Sequence, residues 1–373
     1  MTAIAAGILA AMGLYGDAPD SKHAWAVHDW ARPKPVKVEP APYVRTGAPS
    51  DAVVLFDGTR ESFERNWRDE KGGKPGWSYS EEGYFYTLPD RKNGGSIYTR
   101  EEFGDCQLHI EYRHDPNQLY TDRGPQMRGN SGVFLMGTKT GYELQVLESY
   151  YTSLQETGKP TFVDNYADGQ AGAVYAENPP LVNPQRRPGE WQVYDIVFHQ
   201  PVWKNGALVH PGSMTVFFNG VLVQDAWEME GITTHLRRKP LVEGPKKGPL
   251  ALQEHGCVVQ FRNIWYRPLA SRWDNLTHSA MSADPAKVME LRRQTALRLF
   301  RAIENPTEVS ADNLLALGQV VQYANEGVYK EAFDRCLEAY RAKKGDDAEV
   351  KRVNNGLEVL VRAGLLEESR LVK

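Results

Sequence analysis

The chain has 373 residues, a formal net charge of −4, 41% hydrophobic residues and 25% charged residues. At ~150 residues per domain this length predicts two or three domains, with ample material for a packed core. The mild charge argues against a nucleic-acid partner, which selects for a basic surface. No apolar run reaches the ~18 residues needed to span a bilayer. Three cysteines are too few for a disulfide scaffold.

Composition divides the chain into two unlike parts. All nine tryptophans, 28 of the 33 glycines and 21 of the 23 prolines precede residue 280. A front part rich in turns and aromatic residues therefore joins a tail without tryptophan, whose patterning is helical. We predict an N-terminal segment over residues 1–49, a β-sandwich catalytic domain over 50–270 and a helical domain over 283–373.

The N-terminal segment is apolar and then rich in proline. Residues 1–16, MTAIAAGILAAMGLYG, resemble the apolar core of a secretory signal, although the first lysine is Lys22. The stretch is thus either the remnant of a signal whose gene start was trimmed or an unstructured apolar end. The prolines that follow hold the backbone extended, which predicts a tether or a strap across a domain.

The front domain reads as a series of about ten short strands, from AVVLF at residues 52–56 to VVQFRNIWYRPL at 258–269. Asn219-Gly220 predicts a two-residue hairpin turn, and His255-Gly256 sits likewise between two strand-like runs. Strands without intervening helices predict an all-β jelly-roll sandwich of antiparallel strands. The chain has no G-x-G-x-x-G motif and no P-loop, which argues against a nucleotide cofactor.

The tail predicts four helices. They open at Asp284-Pro285, at Ser310, near Tyr329 and at Asp346, and their apolar positions recur at helical spacing. A small antiparallel bundle is the expected fold. Its role is open between a packed stabilising appendage, a lid and a surface for a partner or an oligomer.

The segment GYELQVLES, residues 141–149, carries the most suggestive chemistry. Side chains alternate along a strand, so Glu143 and Gln145 share one face. The alternate positions suit the core: Tyr142, Leu144 and Val146. Glu148 has the wrong parity to join the polar pair unless a bulge intervenes. The pattern resembles the E-x-D-x-x-E strand of laminarinase-type glucanases, with Gln145 in place of the aspartate. A solvated strand face is the alternative interpretation.

Two further segments hold candidate polar residues. GNSGVFL, residues 129–135, places Asn130 between glycines at a strand start, where a plain turn is the alternative. LALQEHG, residues 250–256, offers Gln253 and His255, and a neutral imidazole suits proton transfer near pH 7. Arg262 lies on the expected return strand of the same hairpin, where it would bind a substrate oxygen or pair with an acid such as Glu254.

The order of these motifs is more specific than any one of them. It runs LFDG (55–58), NSGVFL (130–135), YELQVLE (142–148), GAVY (172–175), GEW (189–191), FNG (218–220), and LQEHG (252–256) before VVQFRNIWYRPL. In this order the chain resembles the 3-keto-disaccharide hydrolase family, which has a concanavalin A-like jelly roll. The resemblance covers about residues 50–269 and excludes the helical tail.

The resemblance implies an exported bacterial enzyme, periplasmic or secreted, that cleaves glycosides oxidised at C3. A C3 ketone acidifies the C2 proton, so a base can form an enolate, the C1 substituent can leave by β-elimination, and water can add. We expect the proton transfers to fall to Glu143, Glu148 and His255. The residues expected to orient the sugar and enolate are Asn130, Gln145, Gln253 and Arg262. Tyr175 is expected to stack on the sugar or donate a hydrogen bond.

Two other functions fit the same residues. A non-catalytic carbohydrate-binding module would use the sandwich face for sugar stacking, and a retaining glucanase would use Glu143 and Glu148 as a carboxylate pair. We expect an oligosaccharide or glycoside substrate and no cofactor. A divalent cation could hold the enolate oxygens, but no H-x-H or C-x-x-C spacing supports one.

Overall fold

The computed structural model describes residues 16–29, 31–89, 92, 94–117, 125–150, 165–272, 285–343 and 346–372. The apolar stretch at residues 1–15 lies outside this range. The chain divides into two compact units, Met1–Ser271 and Arg272–Lys373. In the part of the chain described, no helix has the length and apolarity needed to cross a bilayer.

The first unit is built mainly from short β-strands. In chain order they are β1 (Val36–Lys37), β2 (Val53–Phe56), β3 (Trp67–Arg68), β4 (Ser78–Ser80), β5 (Tyr84–Tyr86), β6 (Ile97–Phe103), β7 (Cys106–His114), β8 (Ser131–Leu135), β9 (Tyr142–Val146), β10 (Val182–Asn183), β11 (Gln192–His199), β12 (Val202–Lys204), β13 (Ala207–His210), β14 (Ser213–Phe218), β15 (Val221–Glu228), β16 (Gly248–Leu252) and β17 (Val259–Pro268).

These strands form two main antiparallel sheets. The larger has the order β15-β14-β11-β7-β17-β5-β4, with β2 also pairing β17, and the smaller has the order β3-β6-β16-β8-β9. Many strands that are neighbours in a sheet are far apart in sequence. The chain therefore crosses repeatedly from one sheet to the other. The structure confirms the prediction of a β-sandwich with antiparallel sheets.

The core lies between the two sheets. Alternate residues of β7, such as Leu108 and Ile110, are fully buried, and Val133 of β8 and Leu144 of β9 join them in one cluster. The period-two alternation of these strands thus places one face of each sheet in the core. The opposite face of β8 and β9 is left to build the site.

One predicted turn is confirmed and the other is wrong. Asn219 and Gly220 both have positive φ, 52° and 80°, and join the paired strands β14 and β15. His255-Gly256 does not close a hairpin, because β16 pairs with β6 and β8 whereas β17 pairs with β7, β5 and β2. The chain changes sheets at this point.

The expectation of a front domain without helices is also wrong in detail. Helix α1 (Arg60–Asn66) begins at Thr59, whose side chain accepts a hydrogen bond from the Ser62 amide. Phe63 of this helix is buried against Phe85 of the sandwich. A four-residue helix, α2 (Gly137–Thr140), connects β8 and β9.

The second unit consists of helices in its described part. They are α3 (Pro285–Arg301), α4 (Ala311–Tyr323), α5 (Gly327–Ala342) and α6 (Asp347–Arg362). Ser310 and Asp346 cap α4 and α6 through their side chains, as the sequence suggests. Helix α4 packs against the other three, so the apolar faces of all four meet in one bundle.

The described N-terminal residues lie on the sandwich. The Gly16 amide donates to the Val27 carbonyl, and the Asp17 amide donates to the Leu236 carbonyl. Further along, β1 pairs in parallel with β10. Residues 16–49 therefore include a strap that contributes buried side chains, among them Val27 and His28.

Candidate active site

A cavity of about 600 Å³ opens on the outer face of the smaller sheet, within the size range of small-molecule sites. Its walls come from β8, β9, the segment after β16, helix α2 and several irregular segments. The lining residues are Ser96, Gln126, Met127, Asn130, Phe134, Thr138, Glu143, Gln145, Tyr166, Tyr175, Thr233, Thr234, His235, Gln253, Glu254 and His255. Six of the eight site residues predicted from the sequence are among them.

Strand β9 supplies the central pair of polar residues. Its apolar residues enter the core, so Glu143 and Gln145 lie on the opposite face, as their parity predicts. The register sets Glu143 opposite Phe134 and Gln145 opposite Gly132 on β8. The amide of Glu143 donates to Thr233 Oγ1 over 2.8 Å, which holds the irregular segment after β15 beside the strand.

Glu143 is a strongly perturbed acid in the cavity. Only 4% of the residue is exposed, and loss of hydration raises the pKa of its carboxyl from 4.5 to about 8. The carboxyl lies against the backbone of β8, since a Cβ placed on Gly132 would approach Glu143 Oε1 to 2.3 Å. The carboxyl is therefore poised to gain or lose a proton near neutral pH.

A chain of amides runs beside Glu143. Gln145 Nε2 donates to Asn130 Oδ1 over 3.2 Å, and Asn130 Nδ2 donates to the Gln126 carbonyl over 2.5 Å. Gly129 precedes Asn130 with φ of 57°, where a Cβ would meet the ring of His114 at 2.3 Å. A side chain at position 129 would collide with His114, so Gly129 is needed to position Asn130.

Two buried acceptors in the cavity wall have no protein donor. Within the described part of the chain, Gln126 Oε1 and Gln253 Oε1 are buried without a hydrogen-bond partner. The Gln253 backbone is fixed, since its amide donates to the Gly132 carbonyl and its carbonyl accepts from Ser131 Oγ. Hydroxyl groups of a ligand would satisfy these acceptors. His255 lines the cavity two residues further on.

Tyr175 lies at the centre of a cluster of aromatic and imidazole rings. Its hydroxyl is 2.9 Å from His235 Nδ1 and 3.2 Å from the Tyr166 hydroxyl. Burial raises the pKa of Tyr175 and of Tyr166 and lowers the pKa of His235. His28 stacks on Tyr166 with ring centres 4.0 Å apart, and its Nδ1 is 3.1 Å from Asp168 Oδ1. Tyr175 thus stays a neutral hydroxyl at the cavity wall.

The structure does not bring Glu148 into the cavity. Strand β9 ends at Val146, and Glu148 turns into the protein, where it is fully buried. Its Oε2 accepts from Arg128 Nε at 3.2 Å, and its Oε1 accepts from the Tyr150 amide at 2.7 Å. No bulge restores the parity that a pair with Glu143 would require, so the predicted role in proton transfer is corrected to a buried ion pair.

Arg262 is also placed elsewhere. It lies on β17 in the larger sheet, because β16 and β17 do not form the expected hairpin. Its Nε donates to Glu111 Oε2 over 2.7 Å, and its Nη2 donates to the Tyr43 hydroxyl over 2.8 Å. The guanidinium also stacks 3.8 Å from the ring centre of Trp191. Arg262 therefore fastens the N-terminal strap to the sandwich and does not orient a substrate in the cavity.

Several lining residues carry no pattern that sequence reasoning could use. Thr233 and His235 lie in the irregular segment between β15 and β16, which has neither period-two nor helical spacing. The sequence indicates Glu254 only as a partner for Arg262. The contacts that bring these residues to the site span 60–90 positions.

No group of three or more His, Cys, Asp or Glu residues suited to a metal ion occurs within the described ranges. The cavity combines the desolvated carboxyl of Glu143 and a second carboxyl, that of Glu254, with several amides, two tyrosines and two histidines. These groups can transfer protons and bind hydroxyl-rich ligands.

Comparisons with known proteins agree with this arrangement. A sequence model of a 3-keto-alpha-glucoside-1,2-lyase-like domain matches residues 51–267. A provisionally assigned glycosyl hydrolase from Parabacteroides distasonis is 37% identical with a TM-score of 0.51, over 65% of this chain and 94% of that one. A second from the same organism is 22% identical with a TM-score of 0.41, over 59% and 94%. Bacillus licheniformis β-glucanase is 11% identical with a TM-score of 0.28, over 58% and 98%. No curated protein matches the chain.

The sandwich and its polar cavity define a glycosyl hydrolase-like domain of a carbohydrate-active enzyme. The chain belongs to the 3-keto-alpha-glucoside-1,2-lyase-like family, whose match covers more than half of its length. The family predicted from the order of the motifs is confirmed.

Proposed function

We propose that the first unit is a concanavalin A-like jelly roll that cleaves 3-keto-glycosides, taken as 3-keto-α-glucosides, by elimination and hydration. The observation that carries the proposal is Glu143, a carboxyl with a pKa of about 8 in a cavity of sugar size. The family match supports the choice of substrate. The remaining steps follow from the groups around Glu143.

Glu143 removes the C2 proton in this proposal. The C2–H bond breaks, a bond from the proton to the Glu143 carboxylate forms, and the electron pair passes into an enolate with the C3 carbonyl. A carboxylate with an ordinary pKa is a weak base for a carbon acid, whereas burial makes the ionised form of Glu143 more basic. The raised pKa thus serves the most demanding step.

Tyr175 gives a proton to the leaving group. As the enolate collapses, C1 and C2 form a double bond and the bond from C1 to the leaving oxygen breaks. In this proposal the Tyr175 hydroxyl, which lies between the Tyr166 hydroxyl and His235 Nδ1, donates its proton to the leaving oxygen. Water then adds its oxygen to C1 and gives one proton to the Tyr175 oxygen, and Glu143, after exchanging its proton with solvent, protonates C2. We propose that His255 orients this water.

The amides hold the sugar in place. Gln253 Oε1 and Gln126 Oε1 accept hydrogen bonds from sugar hydroxyls, which satisfies two buried acceptors without a protein donor in the described structure. Asn130 and Gln145, joined to each other, fix the wall beside Glu143. Bound sugar would lie on the face of β8 and β9.

The two alternative functions would each require a different arrangement of residues at the site. The retaining glucanase predicted from E-x-Q-x-x-E needs carboxyls about 5–5.5 Å apart in one cleft, and Glu148 instead pairs with Arg128 in the interior. A binding module has no use for a carboxyl held at a raised pKa, because burying it costs stability. Neither alternative is supported by a further observation.

The test compares a 3-keto-disaccharide with its unoxidised parent, using the whole chain and the Glu143→Gln variant. We expect cleavage of the keto sugar alone, and a loss of at least about 100-fold in kcat in Glu143→Gln, the usual scale for general acid–base groups. Equal cleavage of both sugars would refute the keto requirement. Binding of both sugars without cleavage would instead support the binding module.

We propose export from the cell as a separate point, on the basis of the apolar residues 1–16 and the family resemblance. Fractionation of bacteria that produce the chain tests it. Recovery outside the cytoplasm with a shortened N-terminus is the expected result, and recovery only in the cytoplasm would contradict it.

A further inference from the structure

A second cavity, also of about 600 Å³, adjoins the candidate active site. Tyr175 and Thr234 line both cavities. Its other walls are the N-terminal strap around residues 20–23 and the irregular segment 229–241. In the proposed reaction Tyr175 protonates the leaving oxygen, so the leaving group must extend from the sugar at this boundary.

The floor of the second cavity is apolar. Met229 is fully buried in the sandwich core, and Ile232 and Leu241 pack against that core from the cavity side. A floor of this kind suits the flat face of an aromatic or cyclic group, which loses water from both surfaces on contact.

The rim of the cavity carries unpaired positive charge. Within the described residues, the side chains of Lys22, Arg237 and Lys239 make no ion pair or hydrogen bond, and all three line the cavity as exposed residues. Arg238 differs from them, because its guanidinium donates to the carbonyls of Ala18 and Trp25 and holds the strap in place.

The acids in the same wall are already occupied. His23 bridges Asp20, at 2.8 Å, and Glu230, at 2.5 Å. Glu177 accepts hydrogen bonds from Trp227 Nε1 and from the amides of Glu230 and Gly231. A hydrogen bond leaves a carboxylate charged, but four lysine and arginine side chains line the cavity against three carboxylates, so its net charge is positive.

We propose that this second cavity is a leaving-group subsite for an aromatic or cyclic aglycone that bears a carboxylate. This proposal extends the proposed function. Its account of the reaction depends on that function, but its account of aglycone binding does not. The carboxylate would lie among Lys22, Arg237 and Lys239, with the ring on the apolar floor.

The kinetic test uses two 3-keto-α-glucosides whose aglycones have the same shape, p-carboxyphenyl and p-carbamoylphenyl. Exposed ion pairs are individually weak, so we expect the carboxylate-to-amide ratio of kcat/KM to be roughly five-fold higher in the unmodified chain than in Arg237→Gln combined with Lys239→Gln. High salt should lower the ratio of the unmodified chain toward that of the double variant. Lys71→Gln, which removes an exposed charge outside the cavity, should keep the ratio.

The binding test separates this proposal from the reaction. Calorimetry with the unoxidised p-carboxyphenyl and p-carbamoylphenyl glucosides should show the same preference and the same loss in the double variant. If neither keto substrate is cleaved but the binding preference is present, the proposed function fails and the subsite stands. Equal affinities, no binding of either glucoside, or a preference that survives in the double variant would overturn the subsite.

Discussion

Replacing Glu143 by glutamine should stabilise the protein at alkaline pH. The unfolded chain releases this proton near its ordinary pKa of 4.5, whereas the folded protein holds it up to a pKa of about 8. Between these values the folded state binds more protons, so stability falls as pH rises through the window. Glutamine has nearly the shape of the neutral acid and does not titrate.

The size of the effect follows from the pKa shift. One unit corresponds to 1.36 kcal/mol, so ionising Glu143 costs the native state up to about 5 kcal/mol by pH 9. For a unit of this size the gain in Glu143→Gln is roughly 10 °C in Tm at pH 9. Below pH 4 both side chains are neutral, and the two proteins should melt at nearly the same temperature.

Tryptophan fluorescence is the suitable assay, because eight of the nine tryptophans precede residue 272 and report on the first unit. Melting is followed from pH 4 to pH 9 for both proteins. Glu82→Gln, at an exposed turn, is the matched control and should show no growing difference. A constant difference in Tm between Glu143→Gln and the unmodified chain across this range would refute the desolvated carboxyl.

Three further predictions follow from the same contacts. Gly132→Ala should push the Glu143 carboxyl aside and lower kcat/KM by about 100-fold, the scale of a 1 Å misplacement. Gly47→Ala, in open space, is the control and should not lower kcat/KM. Equal activities of the two variants would contradict the contact between Gly132 and Glu143. Glu148→Gln should cost about 3–5 kcal/mol in urea unfolding, because it leaves the Arg128 charge buried, and a loss under 1 kcal/mol would show the pair to be solvated. With Glu143 as the base, kcat/KM should rise with pH to a plateau above about 8, and a profile that is flat from pH 6 to 9 would exclude that role.

The sequence predicted what depends on local spacing. Period-two alternation placed Glu143 and Gln145 on the face opposite the core, and Asn219-Gly220 closes its hairpin because both residues adopt positive φ. The caps at Ser310 and Asp346 likewise depend on neighbours within one turn of helix. Each of these features is set within a few residues.

What depends on distant partners was not predictable. A short turn-like run after β16 fits either a hairpin or a change of sheet, and the choice lies in pairings with β6, β8 and β7. Because His255-Gly256 was predicted to close a hairpin, Arg262 was expected beside the cavity, whereas it lies on β17 in the larger sheet. Glu148 was misplaced for a similar reason, since its partner Arg128 lies twenty positions away. His235 reaches Tyr175 from a segment without any periodic pattern.

The central claim is that the reaction passes through removal of the C2 proton by Glu143. Cleavage of a 3-keto-glucoside in D₂O tests it, because Glu143 exchanges the abstracted proton with solvent before the C1–C2 double bond is hydrated, and it then places a deuteron at C2 of the released sugar. Background exchange is measured with Glu143→Gln, on substrate recovered after the same time. We predict that the first-formed product carries one deuterium at C2. Cleavage that leaves protium at C2 would contradict the claim and indicate direct substitution at C1.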